Sequence, residues 1–344
     1  MSIPATTLTS SLLLFAVCAA IVWFSGARLA YLADALADRF KLAKSLVGLL
    51  LLSLATSLPE VATTLSAAVS QAQNLVLNNL FGGIALQTAI LGVADFWAQG
   101  PITNYPRKAN HALEATLLVL LLSLTLIITV IGEPVALFRI GIGSVLIGFC
   151  YAGTIWLLRR YDGSSDWIPV DLPEPQAPPF LDVVDAAITN RALIVQTIAA
   201  CVAILIFGLL LVVLAERIAV QSGLGTSFVG VTLLAGATSL PELTTSITAA
   251  RIGAYTMAIS NIFGSNLIML VLVFPADILY RGGPILQGAS PTVSLALAFG
   301  IAVTAIYLVG LIVRRKPRIG ELGLDSVLVI GTFLASLGAY YYVR

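Results

Sequence analysis

Two glutamates, Glu60 and Glu242, lie inside apolar stretches where no Lys, Arg or His stands at comparable depth. An ionised carboxylate in such a run is costly unless it is paired, protonated or open to a polar cavity. Each follows a proline, Pro59 or Pro241, which has no N–H and whose ring clashes with the carbonyl four residues earlier. Those carbonyls belong to Ala55 and Ala237, so both helices are expected to bend and free oxygens beside the glutamates. Thr56 and Thr238, four residues ahead of the glutamates, share their helical faces. Ser57 and Ser239 add hydroxyls nearby. Carboxylate, carbonyl and hydroxyl oxygens form a hard ligand set, suited to Ca²⁺, Na⁺ or Mg²⁺ and not to soft metals. One proline kink is commonly only packing; two copies, each with an uncompensated acid, point to a cation site.

Those residues need apolar helices to hold them. Of the 344 residues, 59% are hydrophobic and only 10% charged, which is too little polar surface for a soluble chain of this length. Ten runs reach the roughly 20 residues a spanning helix requires: about 10–34, 45–70, 74–97, 112–132, 134–158, 192–216, 227–250, 255–280, 291–313 and 324–342. The fold class expected is an all-α polytopic membrane protein, with kinked or broken helices at its centre. With no basic residue before it, the first run reads as a membrane helix and not as a cleaved signal. A net charge of +1 gives no reason to expect a nucleic-acid partner. Cys18, Cys150 and Cys201 lie inside spans without paired spacing and read as small core residues.

The string Leu54 to Glu60, L-A-T-S-L-P-E, recurs as G-A-T-S-L-P-E from Gly236 to Glu242, an offset of 182 (60 to 242). The same offset relates Ser45, Val47 and Gly48 to Ser227, Val229 and Gly230. It also relates Asn79 to Asn261, Phe81-Gly82 to Phe263-Gly264 and Asp95 to Asp277. Five spans fall in each half, and an odd number makes the halves, 1–158 and 192–344, inverted repeats. Residues 159–191, rich in Pro and acid, read as a linker. Thirteen of the eighteen Lys and Arg fall on the linker's side, which puts the linker in the cytoplasm and both termini outside.

After each kinked span comes a run of small and polar residues, Asn78 to Ile84 and Ser260 to Asn266. Asn79, Asn261 and Ser265 read as lining a polar face. Asp95 and Asp277, near span ends, read as interfacial caps, and His111 as a solvated loop residue beside Arg107 and Lys108. Trp23, Trp97, Trp156 and Trp167 read as an aromatic belt. Arg28 is expected to snorkel or to pair, with Asp34 as one partner.

At these residues the sequence resembles the sodium/calcium exchanger family of the cation/Ca²⁺ antiporter superfamily, known by repeats carrying G-T-S-L-P-E and G-N-x-x-G-S-N. The resemblance covers about 26–97 and 210–280. It implies ten helices in inverted halves of five, and Glu60 and Glu242 as shared Ca²⁺ and Na⁺ ligands. It implies backbone oxygens from Thr56 and Thr238, with Ser57 and Ser239 at flanking Na⁺ positions. Ser265 matches a family serine whose first-half counterpart here is Gly83. Four residues beyond these positions the family carries Asn or Asp; here stand Gln87, which can still coordinate, and Met269, which cannot.

The function expected is therefore secondary antiport in the cell (inner) membrane, Ca²⁺ moving out against Na⁺ or H⁺, with no cofactor and only lipid and cations as partners. Exchange of another cation, such as Na⁺/H⁺ or Mg²⁺, is the alternative, and a passive channel a weaker one. No H-E-x-x-H or G-x-S-x-G is present, so an enzyme is not expected. Oligomeric state is left open.

Overall fold

A computed structural model describes residues 7–106, 108–133, 136–162, 188–222, 235–314 and 317–343. Ser227, Val229 and Gly230 of the repeat lie outside the described residues. So do most of the 159–191 linker, Trp167, and Arg107, Arg315, Lys316 and Arg344 of the charge pattern.

The chain is helical. Helix α1 (Leu8–Phe40) starts at Thr7, whose side chain accepts the Ser10 N–H. A broken pair follows, α2 (Lys44–Thr56) and α3 (Leu58–Val69), bent by 52°. Then come α4 (Gln73–Ala94), α5 (Asn110–Ile131) and α6 (Ile142–Asp162). The second half runs α7 (Asn190–Gln221), α8 (Leu240–Arg251), α9 (Tyr255–Val271), α10 (Val273–Leu279), α11 (Pro291–Ile312) and α12 (Leu324–Val343). Two antiparallel ribbons are the only strands among the described residues. They are β1 (Ala136–Leu137) with β2 (Ile140–Gly141), and β3 (Arg318–Ile319) with β4 (Leu322–Gly323).

Eight helices among the described residues are long and apolar enough to cross a membrane, and the α2–α3 pair makes a ninth. The start of the expected span 227–250 lies outside the described residues. The fifth span begins at Ile142 and not near 134, because residues 136–141 turn back as the first ribbon. Long side chains such as Leu120, Val130, Ile131, Phe149, Trp156, Val195 and Ile198 face outward. An apolar exterior of this extent is suited to lipid. Trp23 and Trp97 are exposed as well. Arg28 donates to Gln196 (2.8 Å), and Asp34 pairs with Lys44 (2.6 Å).

The offset of 182 extends well beyond the motifs. It maps the start of α1 onto α7, α3 onto α8, α4 onto α9, α6 onto α12 and the first ribbon onto the second. It also maps the Thr7 cap onto Thr189, whose side chain accepts the Ala192 N–H. Contacts between the halves are exchanged reciprocally: α1 packs on α8 and α7 on α3, while α4 packs on α12 and α10 on α6. The central core is α4 against α9, closed by α5 and α11, with Leu80, Phe81, Ile84, Phe263, Leu267 and Tyr307 fully buried. A second cluster, including Leu29, Leu32, Leu193 and Ile204, welds α1 to α7.

Asp95 and Asp277 fasten the two ends, in keeping with the capping expectation. Asp95 accepts the Ile102 N–H (2.9 Å), the Gly323 N–H (3.4 Å) and the Ser326 hydroxyl (2.5 Å). Asp277 accepts the Ile285 N–H (2.7 Å), the Gly141 N–H (2.8 Å) and the Ser144 hydroxyl (2.5 Å). Gly141 and Ser144 are the repeat counterparts of Gly323 and Ser326. Each aspartate is thus completed by the opposite half. Each also has a second acid beside the same glycine. The Asp325 carboxylate packs on Gly323, and the Glu133 carboxylate on Gly141 and Gly143.

Candidate functional site

The chain breaks at Ser57, whose backbone (φ −83°, ψ 1°) leaves the helical path between α2 and α3. Pro59 sits in the first turn of α3, where a missing N–H costs nothing. Ser239, Pro241 and α8 repeat the arrangement (φ −87°, ψ 5°). The break therefore falls one residue beyond Thr56, and both glutamates enter the first turn of a new helix. The same side-chain ties recur in both copies. Thr56 donates to the Ser53 carbonyl (3.3 Å) and Thr238 to the Ala235 carbonyl (3.0 Å). Thr63 reaches the Pro59 carbonyl and Thr245 the Pro241 carbonyl, both at 2.9 Å.

Glu60 is 3% exposed and Glu242 fully buried, and the two carboxylates are close enough to repel one another. Oε1 of Glu242 accepts from Ser57 (3.2 Å) and Ser265 (3.5 Å), hydroxyls that stand 2.9 Å apart. The remaining oxygens, Glu60 Oε1 and Oε2 and Glu242 Oε2, accept no hydrogen bond from the described residues. A buried acceptor without a donor costs roughly 1–3 kcal/mol, and more when it is charged. Three such oxygens on two acids form an acceptor set that a cation, protons or water donors would satisfy.

Other groups around the break are placed by hydrogen bonds. Asn261 on α9 donates to Thr245 (3.0 Å) and accepts from Thr56 (3.5 Å), bridging the two breaks. Its counterpart Asn79 donates to Thr64 (2.7 Å). Gln87 is buried, and its Oε1 has no partner among the described residues. Met269, also buried, offers only a thioether. Ala55, Ala237, Thr238 and Ser239 are buried beside the glutamates. Against Gly264 lie the Leu49 carbonyl and Ser53, leaving no room for a Cβ. No described residue lies within 4 Å of where a Cβ would stand on Gly82 or Gly83.

Two features escaped the sequence reading. Asn266 is fully buried, donates to Thr88 (3.1 Å) and keeps its Oδ1 unpaired; its place in the quoted motif was the available signal. The reading of His111 as a solvated loop residue is corrected. His111 is 2% exposed in the first turn of α5, and its Nδ1 lies 2.9 Å from Glu114. Ser260 donates to the same Glu114 (2.8 Å). An acid three residues on shares the histidine's helical face and pulls it inward. His111 borders a cavity of about 340 Å³ between the first turns of α2, α5 and α9, lined in part by Lys44, Ser45, Tyr255 and Thr256.

The sequence matches the family described as sodium/calcium exchanger protein over residues 10–158 and 192–342. The chain belongs to that family. As a member of the sodium/calcium exchanger family it is a transporter of the cation antiporter class, integral to a membrane. Among relatives, the inner membrane protein YrbG of Escherichia coli (strain K12) is 27% identical over 337 residues, 94% of each chain. Sodium/potassium/calcium exchanger 1 of Gallus gallus is 28% identical over 40% of this chain and 20% of its own length. The solved sodium-calcium exchanger NCX_Mj superposes with a TM-score of 0.73 at 17% identity, covering 97% of this chain and 99% of that one. At that identity the likeness speaks for the fold.

Proposed function

We propose that this exchanger-family chain exports Ca²⁺ against Na⁺ or H⁺ at one site built on Glu60 and Glu242. The observation that carries the reading is the set of three buried carboxylate oxygens, contributed by both repeats, that have no donor among the described residues. Thr56, Thr238, Ala55 and Ala237 supply backbone oxygens, and Ser57, Ser239, Ser265 and Gln87 supply side chains. An empty, doubly charged pocket is too costly to cross between states, whereas a filled one is not. That difference couples the two ions.

The halves, 1–158 and 192–344, act as inverted five-helix repeats that make ten spans, joined by a cytoplasmic linker at 159–191 with both termini outside. The reciprocal packing of α1 on α8 and α7 on α3 supports such a two-fold relation. Alternating access follows when one bundle rocks against the other.

The test is ⁴⁵Ca²⁺ uptake into proteoliposomes loaded with Na⁺, beside a set carrying only an outward H⁺ gradient. Uptake should be lost in Glu60→Gln and in Glu242→Gln, and full activity in both would sink the assignment. A second reading, exchange of another cation such as Na⁺/H⁺ or Mg²⁺, is favoured by one observation: Met269 brings no hard ligand to its buried position. Competition among cations during transport separates the two, and flux that saturates at antiporter rates excludes a channel.

A further inference from the structure

We infer that Glu114 and His111 are positioning residues for the central site: through Ser260 they fix the rotation of α9, the helix that carries Asn261 and Ser265. The inference rests on Glu60 and Glu242 being the shared site; it adds what holds one wall of that site in register.

The tie is made of three buried side chains. Ser260, fully buried on α9, donates to both oxygens of Glu114 on α5 (2.8 and 3.0 Å). His111 Nδ1 stands 2.9 Å from the same carboxylate and 3.2 Å from the Ser260 hydroxyl. One residue later Asn261 turns another way, donating to Thr245 on α8 and accepting from Thr56 on α2. Successive residues on a helix project about 100° apart, so α9 is held by hydrogen bonds in two directions and cannot roll about its own axis. Ser265 projects about 40° from Asn261, toward the Glu242 carboxylate. At the helix surface, about 5 Å from the axis, a roll of about 10° moves an oxygen by about 1 Å. That is enough to open the Ser265–Glu242 and Thr56–Asn261 bonds, both already 3.5 Å long.

Among the described residues the first repeat has no such tie. The counterparts of His111 and Glu114 are Val293 and Ala296 on α11, both buried and apolar. The counterpart of Ser260 is Asn78, exposed on α4 with Thr292 at 3.5 Å. Repeat symmetry accounts for the glutamates, threonines and serines that occur twice. It does not account for an acid, a histidine and a serine that meet at one end alone. Burying an acid to 2% exposure is costly when packing is the only return, since Ala296 fills the equivalent place without a charge.

The full chain in proteoliposomes tests this by ⁴⁵Ca²⁺ exchange, with half-saturation and maximal flux read separately. Ser260→Ala and Glu114→Ala should each raise half-saturation about fivefold, with maximal flux within about twofold of the parent. Glu114→Gln keeps an acceptor for Ser260 and should fall between parent and Glu114→Ala. The shift should run through Asn261. Ser260→Ala combined with Thr245→Val should therefore give less than the product of the single effects. Combined with Thr63→Val, the first-repeat counterpart, it should give the full product. Parent-like half-saturation in Ser260→Ala, or full products in both pairs, would mean that the tie only holds helices together, and overturns the inference with the exchanger reading standing. If an alanine variant does not fold, Glu114→Gln paired with Thr245→Val and with Thr63→Val makes the same comparison. Folded parent protein that moves no Ca²⁺ under a Na⁺ or an H⁺ gradient overturns both.

Discussion

The Ser57 hydroxyl of the first repeat lies 3.2 Å from the Glu242 carboxylate of the second. Ser265 joins them, so Glu242 receives two hydroxyls whereas both oxygens of Glu60 receive none from the described residues. The two acids are related by sequence yet differently served among those residues.

Ser57→Ala removes the hydroxyl that spans the repeats. A hydrogen bond to a charged group contributes about 1.5–3 kcal/mol, so half-saturation for Ca²⁺ should rise at least tenfold. Ser239→Ala should shift it less, because Glu60, the counterpart of Glu242, accepts no hydrogen bond from Ser239. Transport titrations of both variants check the order.

Gly264 sits where α9 meets α2. A Cβ there would come within 2.6 Å of the Leu49 carbonyl. Gly264→Ala should lower the melting temperature and abolish transport. Parent-like melting and transport would contradict the close α9–α2 approach.

The Asp95–Ser326 and Asp277–Ser144 ties should be energetically alike. Each is a short bond from a hydroxyl to a buried aspartate at 2.5 Å. Double-mutant cycles with Asp→Asn and Ser→Ala should give coupling energies of about 0.5–3 kcal/mol at both ends. A coupling at only one end would mean that the repeat is geometric without being energetic.

Glu133 lies beyond the end of its helix, where burial first and then the Asp277 carboxylate hold its carboxyl above the ordinary carboxylate range. Folding therefore favours the protonated form, and that contribution is lost as pH rises through the raised value. Glu133→Gln should melt like the parent in acid and a few degrees higher at alkaline pH. Melting curves from about pH 4 to about pH 9 test the sign.

Much of this molecule could be read before its structure. Glu60, Glu242 and their prolines stand out because an acid is conspicuous in an apolar run, and the 182-residue offset survives because both halves solve the same packing problem. Asp95 and Asp277 were legible as caps, since acids at span ends commonly meet free N–H groups. His111 was not, because its partners Glu114 and Ser260 come from its own helix and from one 149 residues away. The first ribbon was hidden inside an apolar run that hydropathy alone extends from 134 to 158.

The exchanged aspartate ties also govern how this chain matures. On the ribosome Asp95 is made early, but Gly323 and Ser326 emerge more than two hundred residues later. Until then a desolvated acid lacks two of its three donors. The Asp277 end meets Gly141 and Ser144, which are already made, so it can close once Ile285 has emerged, whereas the Asp95 end waits for the last helix.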